Sequence, residues 1–187
     1  DMRVVITGGG SGIGSDLVTA FAGQGARVWF LDIADEASNK LAESLRGAAH
    51  APQFRHCDLT DLDALAATFA AIEQEAGGID VLLNNAANDD RHEIDDVTPA
   101  YYENRMAVNL RHQFFCAQAA VRMMRKQGGG VILNFGSISW HLASNQLSLY
   151  MTAKAAIEGL SRGMARDLGG DNIRVNAVIP GAVRTPR

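Results

Sequence analysis

Proline is scarce in this chain, cysteine scarcer still, and neither basic residues nor long apolar runs accumulate anywhere. With only 4 prolines, no linker or low-complexity tract is visible. The 2 cysteines, Cys57 and Cys116, lie far apart, form no Cys-x-x-Cys and have no histidines clustered near them at metal-ligand spacing. Reduced thiols in a cytoplasmic compartment are therefore expected, and no metal site. Lys and Arg number 17 against 21 Asp and Glu, a formal charge of −4. Non-specific nucleic-acid binding needs a basic surface, so that class is excluded. No run reaches the length of a membrane span and no secretory signal opens the chain, so no membrane partner is expected.

What remains is an ordinary globular composition: 47% hydrophobic, 20% charged and 19 glycines in 187 residues. That length fits one domain, residues 1–187, with a sizeable core. Asp1-Met2 runs straight into a strand-like segment, and Thr185-Pro186-Arg187 follows directly on a Pro-Gly turn. A C-terminal strand and lid are expected to be missing beyond Arg187.

Short apolar runs alternate with segments of helical period. Strands are expected at 3–7, 27–31, 53–56, 79–83, 130–135 and 172–178. Several are apolar on consecutive positions, as strands buried on both faces are. Helices are expected at 13–24, 34–45, 62–76, 100–126 and 149–168, with Asp61 and Thr98-Pro99 as helix starts. Gly25, Gly77-Gly78, Gly128–Gly130 and Gly169-Gly170 read as helix ends. The alternation predicts an α/β fold: a doubly wound, Rossmann-like parallel sheet with helices on both faces.

The first strand ends in Thr-Gly-Gly-Gly-Ser-Gly-Ile-Gly, residues 7 to 14, and a helix follows at once. Glycines at 8, 12 and 14 allow a tight turn and a close approach of backbone N–H groups to a pyrophosphate. The helix N-terminus adds partial positive charge beneath it. The second strand ends at Asp32, where an acid accepts hydrogen bonds from the adenosine ribose and repels the 2′-phosphate of NADP. Ser11 stands where a basic residue would neutralise that phosphate, so NAD is favoured. Asp58 and the Asn84-Asn85-Ala86-Ala87 run follow the third and fourth strands, at carboxyl ends where ligands bind in open sheets. Each alone is equally well ordinary turn chemistry.

Tyr150 and Lys154 are four residues apart at a helix start, on one face. A phenol is a poor base at neutral pH, and an adjacent ammonium favours its phenolate. A phenolate can take a hydroxyl proton while the attached carbon gives hydride to a nicotinamide. Ser137, at the end of the fifth strand, can hydrogen-bond the same oxygen. The spacing alone is weak evidence; with the glycine loop and Asp32 it points to catalysis.

Together these residues resemble the short-chain dehydrogenase/reductase family. Thr7–Gly14 matches its Thr-Gly-x-x-x-Gly-Ile-Gly, Asn84-Asn85-Ala86 its Asn-Asn-Ala-Gly, and Tyr150 to Lys154 its Tyr-x-x-x-Lys. Ser137 lies thirteen residues before Tyr150, the family interval. Ala87 departs from the usual Gly and is tolerable if its backbone is ordinary. The resemblance implies Ser137, Tyr150, Lys154 and Asn109 as the catalytic set, Asn109 helping to hold a water that links Lys154 to solvent. It implies NAD contacts by Gly8, Ser11, Gly12, Ile13, Gly14, Asp32, Ile33, Asp58, Leu59, Asn85, Ala86 and Ala87. Tyr150, Lys154, Pro180, Gly181, Val183 and Thr185 complete that set. A homotetramer is implied when the C-terminal segment is present.

A narrower likeness is to bacterial NAD-dependent sugar 1-dehydrogenases, carried by "NNAANDDRH", "VNLRH" and "NFGSISWHL". It implies a small-molecule substrate, an aldose such as D-xylose, oxidised at its anomeric hydroxyl to a lactone. Asn88, Asp89, Ser137, Ser139, His141, Asn145 and Tyr150 are then expected to touch the sugar. Arg91 and Gln146 stand nearby, and Trp140 is a candidate to stack on a pyranose face. A plainer reading makes the 89–92 run a solvated loop and His141 a satisfied core group. Two rivals stay open: a dehydrogenase for another alcohol–ketone pair (steroid or 3-oxoacyl), and a non-catalytic dinucleotide-binding protein.

Overall fold

A computed structural model describes residues 1–185; Pro186 and Arg187, the end of the expected C-terminal turn, lie outside the described residues. Six parallel strands lie in the order β3-β2-β1-β4-β5-β6. They are β1 (Arg3–Thr7), β2 (Arg27–Asp32), β3 (Gln53–His56), β4 (Val81–Asn84), β5 (Gly130–Phe135) and β6 (Ile173–Val178). Strand order reverses between β1 and β4, so a crevice opens at their carboxyl ends.

The helices are α1 (Gly12–Gly23), α2 (Asp35–Ser44), α3 (Leu62–Ala76), α4 (Pro99–Met106), α5 (His112–Gln127) and α6 (Ser148–Leu168). The strands' alternating side chains divide the core in two. Val4, Ile6, Val28 and Phe30 pack with Val18 and Ala22 of α1, while Leu41 of α2 joins from the same side. Val5, Trp29, Leu31, Leu82 and Ile132 face Phe69 and Ile72 of α3, Met124 of α5 and Leu168 of α6. Burial on both faces holds for β1, β2 and β4. It fails for β6, where exposed Arg174 and Asn176 alternate with buried Ile173 and Val175.

Local chemistry sets the starts of α3 and α4 and the ends of α3 and α5. Asp61 accepts from the N–H groups of Asp63 and Ala64, and Thr98 from Tyr101, with Pro99 at the first helical position. Gly77 and Gly128 end α3 and α5 in the left-handed region. Gly169 does not: it continues right-handed, and the left-handed residue is Asn172, φ 58°. Asn tolerates that conformation better than most residues, and here its amide donates to Gly128 O at 3.0 Å. The single helix expected over 100–126 is interrupted by a π segment, Ala107–Arg111, which widens the turn around Asn109.

Candidate active site

The glycine loop is folded against its neighbours by backbone contacts. Gly8 and Gly9 N–H groups donate to Leu31 O at 2.7 and 3.2 Å. The Asp32 carboxylate accepts from Gly10 N at 2.8 Å and Ala34 N at 2.9 Å. A Cβ on Gly14 would lie 1.8 Å from Gly8 O, and one on Gly8 (φ +66°) would lie 2.7 Å from Ala86 Cα. These two positions exclude any side chain. Ser11 caps α1 in an extended conformation without a side-chain bond, and the first turn holds no acid. The leading N–H groups of α1 thus remain available for an anion. The donor set and the room left by the glycines suit a dinucleotide.

Asn85 is a staple: its Nδ2 donates to Thr7 O at 3.1 Å and Gly8 O at 3.0 Å, and its N–H to Thr7 Oγ1. Its side chain is thereby committed to the loop, while Asn85, Ala86 and Ala87 line the cleft. Ala87 is absent from the described non-glycine residues with positive φ, so its methyl carries no backbone strain. Thr7, Asn84 and Asn134 stand in register across β1, β4 and β5, all fully buried. Asn84 Nδ2 donates to Asn134 Oδ1 at 2.9 Å, and Asn134 Nδ2 to Ser161 Oγ at 3.0 Å. This network locks the strand ends from which the site is built.

Lys154 is 1% exposed. Its Nζ donates to Phe135 O at 2.6 Å and sits 5.5 Å from the centre of the Tyr150 ring. Burial lowers its pKa to about 8, because a dry surrounding disfavours the ammonium. His112 is buried beside it and neutral, its pKa lowered to about 3 by burial and then by the Lys154 charge. Its Nε2 lies 3.1 Å from Ala86 O. Asn109 is buried, accepting from Asn88 N at 2.8 Å and donating to Arg105 O at 3.1 Å. Ser137 begins the Ile138–Trp140 turn and accepts from Ser139 N.

One cavity of about 820 Å³ joins these parts. Its nucleotide end is lined by Gly8, Ser11, Gly12, Ile13, Asp32, Ile33, Asp58 and Leu59, and its far end by Asn88, Asp89, Ser137, Ser139 and Tyr150. Asn85, Ala86, Ala87 and Lys154 lie between, and Pro180, Gly181, Val183 and Thr185 cover the cleft. Thr185 comes over the loop itself, 3.6 Å from where a Gly12 Cβ would stand. Gly14 and Asn109 support the wall from behind without lining it. His141 and Asn145 also fall outside the lining. Asn145 gives its carbonyl to Arg91 Nη1 at 2.6 Å, and His141 pairs with Glu158. Trp140 has one ring face against His141, centroids 3.7 Å apart.

Asn104 and Arg105 line the cavity too, though the apolar pattern assigned them to a helix. Their spacing is the missed signal: Asn104 is one turn before Val108, and Arg105 one turn before Asn109. Among the described residues, no group of His, Cys, Asp and Glu is placed to hold a metal, and no helix is long and apolar enough to cross a membrane.

A six-stranded doubly wound sheet, a glycine cradle and a Ser, Tyr and Lys at one cavity define a dinucleotide-dependent oxidoreductase. The chain belongs to the short-chain dehydrogenase family, whose model matches residues 2–187. It is 57% identical to D-xylose 1-dehydrogenase of Caulobacter vibrioides, over 99% of this chain and 73% of that protein. It is 47% identical to a probable galactose dehydrogenase of Rhizobium meliloti, over 100% of this chain and 73% of the relative. The fold superposes on a putative short-chain alcohol dehydrogenase from Sinorhizobium meliloti with TM-score 0.93, 32% identity and 98% and 73% coverage of the two chains.

Proposed function

We propose that this chain is a single catalytic domain that oxidises the anomeric hydroxyl of an aldose, such as D-xylose, to the lactone with NAD. The observation that carries the reading is the cavity's far end: Ser137 and Tyr150 stand among Asn88, Asp89 and Ser139. That lining suits a polyhydroxylated ring and is poorly matched to a steroid or acyl chain. The names of the two sugar-dehydrogenase relatives support the same choice. Asp32 and the absence of a basic residue at Ser11 favour NAD over NADP.

Bound NAD supplies the hydride acceptor. Tyr150 takes the hydroxyl proton, and Lys154 favours the phenolate and holds the nicotinamide ribose. Ser137 donates to the reacting oxygen, and Asn109 keeps the proton exit open at the π turn. Asp32 and Asp58 hold the adenosine end. Two buried free thiols, Cys57 and Cys116, fit a reducing, cytoplasmic setting. Exposed Tyr102 on α4 and Phe114 on α5 offer apolar surface for a homotetramer, which light scattering would detect.

Tyr150→Phe removes the proton acceptor and is expected to lower kcat about 10²- to 10⁴-fold while NAD still binds. Absorbance of NADH across a panel of aldoses, hydroxysteroids and 3-hydroxyacyl thioesters checks both mechanism and substrate. Undiminished turnover by the Phe variant, or turnover confined to the apolar substrates, rejects the reading.

A further inference from the structure

The turn after Ser137 has a tether of its own. Trp140 Nε1 donates to Glu158 Oε1 at 2.8 Å, and His141 Nε2 lies 3.3 Å from the same oxygen. The two rings are in contact, centroids 3.7 Å apart and planes tilted by 31°, so the carboxylate holds them as a unit. A charged acceptor makes the indole bond stronger than a neutral one would. Glu158 lies on α6 one turn beyond Lys154, which is itself one turn beyond Tyr150. The three therefore follow one another along a single helix face.

Ser137 is bracketed by two ties to this helix. Before it, Lys154 Nζ holds Phe135 O; after it, Glu158 holds Trp140 and His141. The bonds from Gly136 N to Val178 O and Ile138 N to Pro180 O secure the backbone toward β6. Position relative to α6 is left to side-chain ties: these two, and the Asn134 Nδ2 to Ser161 Oγ bond three residues before Ser137.

We propose that Glu158 is a positioning residue: by clamping the 138–141 turn to α6 it sets the distance between Ser137 and Tyr150. The proposal rests on the reading of those two as the reacting pair. The turn also forms a wall of the cavity through Ser139, so the clamp shapes the substrate end without touching substrate.

Glu158 is partly exposed, 32% at its side chain, so Glu158→Ala is expected to fold, with an unchanged circular-dichroism spectrum and melting temperature. Trp29 is 1% exposed, so a change in fluorescence reports Trp140. The Ala variant is expected to shift emission to the red and lower kcat about tenfold, since misplacement by about 1 Å costs up to 10²-fold. KM for NAD is expected to stay at the wild-type value. Glu158→Gln retains an oxygen for the indole N–H and is expected to recover most of kcat. Wild-type kcat in Glu158→Ala, with or without the red shift, overturns the proposal. So does a Gln variant no better than Ala. If Tyr150→Phe turns over normally, the catalytic reading fails by itself, and the Glu158 result still stands as an independent measurement.

Discussion

Between Gly8 and Leu59 the cleft is shaped largely by backbone N–H groups: Gly8 and Gly9 bond to Leu31 O and Gly10 and Ala34 to the Asp32 carboxylate, all within 25 residues in sequence, with Asn85 stapling Gly8 from outside. At the other end, side chains do the joining, and across far greater separations. Arg91 reaches Asn145 O, 54 positions away, and His92 Nε2 lies 2.9 Å from Ser148 Oγ, 56 positions away. Gln146 bonds Glu93 across 53 positions. The residues between Asn88 and Glu93 are thus sewn to the lead-in of α6, two residues before Tyr150. Backbone cradles suit a ligand part that never varies, the nucleotide. Side-chain stitches can be exchanged without disturbing the sheet, which suits the part of a site that selects substrate.

The hardest way to break that contrast is Gly14→Ala. Its methyl would press 1.8 Å from a backbone carbonyl that cannot step aside. We expect a loss of stability of about 3 kcal/mol or more and no retention on an NAD affinity matrix. A methyl accommodated with normal binding would show that the cradle is looser than its backbone contacts imply.

Lys154→Met separates function from stability. Activity is expected to fall at least about 10²-fold, while the melting temperature at pH 7 rises. The sign follows from the pKa, about 8 in the fold against 10.5 ordinarily. Between those values the unfolded chain binds more protons, so wild-type stability increases with pH there; below about 8 the cost of the buried cation is present in full. The advantage of Met should therefore be largest below pH 8 and shrink toward pH 10.5 in a pH series of thermal melts. A gap that does not change with pH would contradict a buried charge.

Asp32→Ala tests the carboxylate that ties the glycine loop to the end of β2. Loss of a charged acceptor should raise KM for NAD about ten- to a hundredfold, narrowing the preference over NADP, with sugar KM unchanged. Smallest is His92→Ala. Freeing one stitch to Ser148 should raise sugar KM about fivefold, the worth of one hydrogen bond, and leave KM for NAD alone. Equal effects on both Michaelis constants would erase the distinction between the halves.

Much of the nucleotide half was legible in advance because its groups are neighbours along the chain. The glycine spacing, Asp32 at a strand end, and Tyr150 with Lys154 on one helical turn are local facts. His141 and Asn145 show where local reading stops. Both sit on the expected loop, but their partners, Glu158 and Arg91, come from another helix and another loop. Asn104 and Arg105 were hidden by the helical pattern that contains them, since facing a cavity or facing a core leaves the same period.

By itself, the sequence determined the alternation of strands and helices, the glycine cradle and the spacing that puts Tyr150 above Lys154. These depend on backbone freedom, helical period and the residue type at a strand end, all set within a few positions. Only the tertiary structure decided that Lys154 is dry, that His112 is neutral beside it, that Asn85 staples rather than reaches outward, and that Glu158 holds the turn after Ser137. Burial and side-chain partnership depend on which distant segments meet, and no short stretch of sequence carries that information.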